Sequence, residues 1–340
     1  MAVPVITRRG PEPVFPPFEY SDLLNEASFG DWRDALVKDG YTVIKGAVSR
    51  ERALAAREEA FQWLEDFPLG FKRDDPSTFK NEHLPNHMKG GMIHGYGIAH
   101  EQWLWNLRTE PGVIDAFAKV WGTRDLVVSF DSAAVMLPNR TDVVDKGRWE
   151  HIDQSPSRRG LYCVQGILNL NDCGPEDGGL MILKGSAPII EEFFNTIGRE
   201  ETRTWGPVDF YSFTDDQHQW FHDHGCEWVK VCCEPGDLIL WDSRAMHYNV
   251  RPTGQRDRTC AYICMAPAKL LSNEDRQKRK VAFDQYLGTT HVPFASLHLR
   301  AHTPGIRADT GLPDPLDTGI PRYPRVATDT VLKLSGIAAY

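Results

Sequence analysis

Residues 234–241 read Glu-Pro-Gly-Asp-Leu-Ile-Leu-Trp, a turn signal followed without a gap by a short apolar run. Proline presets one backbone angle and glycine reaches conformations that other residues avoid. Glu234 to Asp237 therefore marks a reversal, and the run to Trp241 reads as a strand. The same grammar recurs on both sides. Segments 126–130, 160–170, 180–183, 228–232 and 259–265 are short strand candidates, with turn signals at Leu137-Pro-Asn, Cys173-Gly-Pro, Asp177-Gly-Gly and Pro252-Thr-Gly. Many short strands with frequent turns predict a sandwich or jelly roll. Further upstream the signals are helical, at 21–36, at 49–64 behind the cap Ser49, at 102–108 and at 111–121, with a strand at 41–45. Behind Ser272 a charged helix is predicted over 273–286. Helices first and strands later give an α+β class with a jelly-roll core over about 125–267.

This core sits in a predicted single domain, 19–290. Pro4, Pro11, Pro13, Pro16 and Pro17 make 1–18 an extended arm, and the proline-rich 291–340 a tail that wraps the surface. Residues 66–98 carry weak periodicity and are read as a mouth segment. Within it, 81–97 is expected to hinge at Gly90, Gly91, Gly95 and Gly97 and to order when substrate binds.

Composition narrows the partners. Of 340 residues, 38 are basic and 47 acidic, a net charge of −9, which argues against a nucleic-acid or anionic-membrane partner. No apolar run reaches the roughly 18 residues that span a bilayer, and the N-terminus lacks the apolar centre of a signal peptide. Seven cysteines at irregular spacing read as free thiols of a reducing compartment. A cytoplasmic protein acting on a small molecule is expected, with the oligomeric state open, a homodimer included.

The chemistry concentrates at His151-Ile-Asp153. In an extended chain, residues two apart share a face, so one imidazole and one carboxylate project together. His247 follows the 237–241 run. Two histidines and one carboxylate leave coordination positions open, as in the facial triad of non-heme Fe(II) oxygenases. Eleven residues on, Arg258 lies in a strand-like stretch where a guanidinium can point inward and grip a carboxylate bidentately. The rival reading of Arg258 is an internal salt bridge, for example to Asp242. A second set of metal-ligand types, His218, His222, His224 and Cys226, could suit zinc, but its polar setting reads better as a solvated loop.

The order HxD, then Gly-Pro-Glu-Asp-Gly-Gly-Leu-Met-Ile-Leu-Lys-Gly-Ser (174–186), then Pro-Gly-Asp-Leu-Ile-Leu-Trp (235–241), His247 and Arg258 resembles the phytanoyl-CoA dioxygenase family. The resemblance implies a double-stranded β-helix. It also implies a dioxygenase that uses Fe(II), 2-oxoglutarate and O2 to oxidise a small organic molecule, releasing succinate and CO2. It makes His151, Asp153 and His247 the iron ligands and Arg258 the clamp on the distal carboxylate of 2-oxoglutarate. Asn249 takes a position that often carries a small hydroxyl residue aiding that clamp. Gln165 is a candidate for bonding the iron-binding end of the cosubstrate. Trp149 and Trp241 are candidate pocket walls, and His94 and Tyr96 candidate contacts in the mouth. Arg158, Arg159 and Arg244 could hold an acidic substrate but read better as exposed salt-bridge partners. Asp153 fills the position that halide-transferring relatives leave vacant, which points to hydroxylation-type chemistry, with desaturation or cyclisation as variants. No basic cluster suggests a coenzyme A site, so a free natural product or amino acid is the favoured substrate. Two rivals remain open: a jelly-roll metalloenzyme that needs no 2-oxoglutarate, and a ligand-binding jelly roll without catalysis.

Overall fold

A computed structural model describes Leu23 and residues 28–144, 147–196, 209–295, 297 and 299–340. The expected arm, 1–18, and the cap at Ser21 lie outside the described residues. The strands are β1 (Tyr41–Ile44), β2 (Met92–Ile93), β3 (Leu126–Val128), β4 (Ala133–Met136), β5 (His151–Ile152), β6 (Val164–Asn169), β7 (Gly179–Lys184), β8 (Tyr211–Ser212), β9 (Glu227–Lys230), β10 (Leu238–Asp242), β11 (His247–Val250), β12 (Arg258–Tyr262) and β13 (Met265–Pro267). The helices are α1 (Arg33–Asp39), α2 (Arg50–Glu65), α3 (Gln102–Arg108), α4 (Pro111–Trp121), α5 (Ser186–Thr196), α6 (Asp215–Asp223), α7 (Asn273–Asp284) and α8 (Asp329–Leu334).

Two antiparallel sheets form the jelly roll. One has six strands in the order β1-β10-β6-β12-β4-β2, the other five in the order β8-β5-β11-β7-β9. The opening motif explains how the first is filled. Gly236 has φ +90°, and a Cβ there would stand 2.1 Å from the Val48 carbonyl oxygen, so only glycine fits the turn. Along β10, Leu238 and Leu240 join the core under the helices, while Ile239 and Trp241 face the barrel interior with Ile167 and Cys260. Because both faces are covered, the strand reads as one continuous apolar run rather than an alternation. The helical side is built chiefly by α2, whose Ala53, Ala56, Ala60, Phe61 and Leu64 are buried at helical spacing. Its start is fixed by the Ser49 side chain, which accepts from the Arg52 amide.

Several elements depart from the sequence reading. β1 and β2 join the large sheet from upstream of 125, so the core is not confined to 125–267. The 259–265 run is two strands: β12 stays in the large sheet, while β13 pairs with β3 separately. The 187–226 region contributes α5 and α6. Phe193, Phe194 and Phe221 from these helices pack with Ile152, Leu183 and Met246 beneath the small sheet. No described helix is long and apolar enough to cross a membrane.

Candidate metal centre

β5 and β11 lie side by side with His151 opposite His247, so backbone register brings the two imidazoles to ring centroids 4.4 Å apart. Asp153 follows β5, its amide donating to the Ser243 carbonyl at 2.9 Å. His151 Nε2 stands 3.5 Å from Asp153 Oδ1, and His247 Nε2 3.3 Å from Asp153 Oδ2. One donor atom from each residue lies within 4.8 Å of the other two, and no other such group occurs among the described residues. Donors bonded to one ion at roughly 2.1 Å and set at right angles stand about 3 Å apart, so the cluster suits a single metal.

The second nitrogen of each ring fixes its tautomer. His151 Nδ1 is 3.0 Å from the Trp149 carbonyl oxygen, and His247 Nδ1 is 3.0 Å from that of Ala245. A carbonyl only accepts, so Nδ1 carries the hydrogen and Nε2 keeps its lone pair for a metal. Burial, aided by nearby His151, lowers the His247 pKa and favours the neutral, ligating form. Burial alone would raise the Asp153 carboxyl, but His151, His291 and the histidine hydrogen bonds hold it well below the usual carboxylate range. Two imidazoles and one carboxylate are the donor set of the facial triad.

Gln165, on β6, donates through Nε2 to Asp153 Oδ2 at 2.9 Å, so it orients the carboxylate. Trp149 stacks on His151 at 4.5 Å between centroids, and Trp241 meets His247 edge-on at 5.4 Å. Arg258 and Cys260 share one face of β12, and the Arg258 side chain is buried, 1% exposed. Among the described residues it has no carboxylate within ion-pair distance, and its hydrogen-bond partner is the Tyr262 hydroxyl, 3.3 Å away. Asp242, the rival partner, is taken by Arg244 at 2.7 Å. A buried cation without a counter-charge is costly. Asn249, two residues after His247 on β11, has a buried Oδ1 without a partner, as has Trp241 Nε1. The Trp241 N–H and the Arg258 guanidinium are donors that suit an anionic ligand such as 2-oxoglutarate inside the barrel, whereas the Asn249 oxygen only accepts and would meet a donor rather than an anion.

Other candidates fall elsewhere. Arg158 and Arg244 are ion-paired as expected, to Asp209 and Asp242, but both are buried rather than exposed. Tyr96 is buried too: its hydroxyl donates to Asp314 at 2.6 Å and its amide to Asp317 at 2.7 Å. His94 contacts Arg300. His218 and His222 lie on helix α6, not in a loop, behind a Thr214–Gln217 capping box; His224 caps its C-terminus and Cys226 follows it. His222 and His224 spend Nδ1 on the carbonyls of Cys226 and Trp220. Sequence reading missed Phe210, stacked on His151 at 5.2 Å, and Tyr262. Phe210 belongs to no motif, whereas Tyr262 shares the period-two face of Arg258.

The jelly roll and this site define an oxygenase of the non-heme iron class. The phytanoyl-CoA dioxygenase family model matches residues 36–260, well over half of the chain, and the chain belongs to that family. It is a non-heme Fe(II)- and 2-oxoglutarate-dependent dioxygenase, with O2 as second cosubstrate. It is similar to "Ava biosynthesis cluster protein O" of Aspergillus versicolor, 42% identical over 275 residues, which cover 80% of this chain and 89% of that protein. Among solved structures it resembles EctD from S. alaskensis with bound Fe, at 16% identity and TM-score 0.49 over 75% of this chain and 83% of that one. It also resembles the epimerase SnoN in complex with Fe3+, alpha ketoglutarate and nogalamycin RO, at 14% identity and TM-score 0.46 over 69% and 82%.

Proposed function

We propose that the enzyme oxidises a small biosynthetic intermediate, a free natural product or amino acid, by hydroxylation or the related desaturation or cyclisation. His151, Asp153 and His247 hold Fe(II), and Arg258, helped by Asn249, grips the distal carboxylate of 2-oxoglutarate. The observation that carries the reading is the meeting of the three donor atoms in one barrel with a buried arginine that lacks a carboxylate. Bound iron supplies the activation of O2, coupled to decarboxylation of 2-oxoglutarate to succinate and CO2.

The protein's own work is geometric. The Trp149 and Ala245 carbonyls fix both imidazoles, and Gln165 fixes the carboxylate. Trp149, Trp241 and Phe210 put apolar surface against the ligands, which helps exclude water. An intact Asp153 leaves no ligand vacancy for a halide, which favours hydroxylation-type outcomes. The Aspergillus relative's name, that of a biosynthesis cluster protein, supports a biosynthetic substrate.

A screen of candidate metabolites, read by succinate release, tests the proposal. Substrate-stimulated succinate that requires both Fe(II) and 2-oxoglutarate is expected. Substrate oxidation at full rate without 2-oxoglutarate would overturn it in favour of a 2-oxoglutarate-independent metalloenzyme.

A further inference from the structure

The geometry points to Tyr262 as a second binding residue for the distal carboxylate of 2-oxoglutarate, its hydroxyl donating beside the Arg258 guanidinium. This rests on the cosubstrate role proposed for Arg258. Along β12, Arg258, Cys260 and Tyr262 alternate onto one face, and Cys260 marks that face as the barrel interior. Tyr262 lies four positions after Arg258, roughly 13 Å along the strand, yet their side-chain tips meet at 3.3 Å. Both side chains therefore lean toward one point.

The direction of that bond matters. A guanidinium only donates, so the Tyr262 oxygen accepts from Arg258 Nη1 and its own hydrogen is left to give. Among the described residues no oxygen or nitrogen takes that hydrogen, and the Cys260 thiol beside it is a weak acceptor. Burial raises the Tyr262 pKa, so the hydroxyl keeps its proton throughout the working range. A carboxylate has two oxygens: one can take the guanidinium and the other the hydroxyl, and the Arg258–Tyr262 bond holds the two donors in register. The same pairing explains how an arginine 1% exposed stays aimed before any anion arrives.

The test is calorimetric titration, without O2, of the Fe(II) protein with 2-oxoglutarate and with 2-oxopentanoate, which lacks the distal carboxylate. Tyr262→Phe should weaken 2-oxoglutarate binding roughly 10- to 100-fold, as for a lost hydrogen bond to a charged group, and leave 2-oxopentanoate within about twofold. Equal weakening of both ligands would mean that Tyr262 only shapes the barrel, and unchanged 2-oxoglutarate binding would mean that it does not touch the carboxylate. Either result overturns the assignment. Arg258→Ala separates this from the underlying reading. Normal 2-oxoglutarate affinity in that variant would overturn the cosubstrate role of Arg258 itself. Loss in Arg258→Ala without loss in Tyr262→Phe overturns the tyrosine alone. Tyr262→Met, which also lacks the donor, serves if the Phe variant does not fold.

Discussion

Removing any one of His151, Asp153 or His247 deletes a donor atom from a cluster in which all lie within 4.8 Å of one another. Each alanine variant is expected to stay folded by circular dichroism, lose most of its iron by elemental analysis, and lose activity by more than about a hundredfold. Retained iron with full turnover in any of them would remove that residue from the site. Gln165 makes a subtler case. Its amide donates to Asp153 Oδ2 at 2.9 Å, so Gln165→Leu should lower iron affinity by about tenfold while the 2-oxoglutarate constant moves little. The reverse pattern would return Gln165 to direct contact with the cosubstrate. At this scale the His151–Asp153 pair was legible because residues two apart in an extended chain share a face, a local property, while His247, opposite His151 across two strands, was joined to it through the motif order and the family resemblance. The stacking of Phe210 on His151 was not, because it depends on how β8 is laid beside β5.

Among the elements, the mouth segment changes most between sequence and structure. Its glycines suggested a hinge, but a Cβ on Gly91 would meet the Val135 carbonyl oxygen at 2.3 Å, so this glycine serves close packing. Tyr96 then fastens the segment: it accepts from the Asn86 amide at 2.7 Å and donates to Asp314, itself 1% exposed. Tyr96→Phe leaves a buried carboxylate short of a donor and should cost about 1–3 kcal/mol, read as a lower melting temperature. Hydrogen exchange should find the Tyr96 amide protected in the substrate-free protein; fast exchange there would restore the hinged lid. The anchor was illegible because Asp314 and Asp317 lie more than two hundred residues downstream. Helix α6 escaped for another reason. Of its nine residues only Gln217 and Phe221 are buried, too few to print an apolar stripe.

For the whole molecule, the wrapping tail proves partly internal. Val331 and Leu334 of α8 belong to the main core, and Arg279 of α7 binds the end of the chain to it. Arg279 donates to the carbonyls of Ser335 at 2.7 Å, Pro293 at 2.8 Å and Val128 at 2.6 Å, joining three distant segments. Arg279→Met strands these buried carbonyls and should destabilise by about 3 kcal/mol or more in denaturant unfolding; an unchanged midpoint would contradict it. The jelly roll was legible in outline because turn signals bracket its long strands. Its two-residue strands β2 and β8 were not, since so short a run carries no period of its own; β5 was found only because the HxD pattern marks it.

The proposed chemistry needs one barrel to bind Fe(II) at the triad and 2-oxoglutarate between the metal and Arg258. The anaerobic visible spectrum tests it most directly. A weak charge-transfer band is expected that appears only when Fe(II) and 2-oxoglutarate are both present, that is abolished in Asp153→Ala, and that in Arg258→Ala needs far more 2-oxoglutarate. An iron-loaded protein that gives no band at saturating 2-oxoglutarate would contradict it.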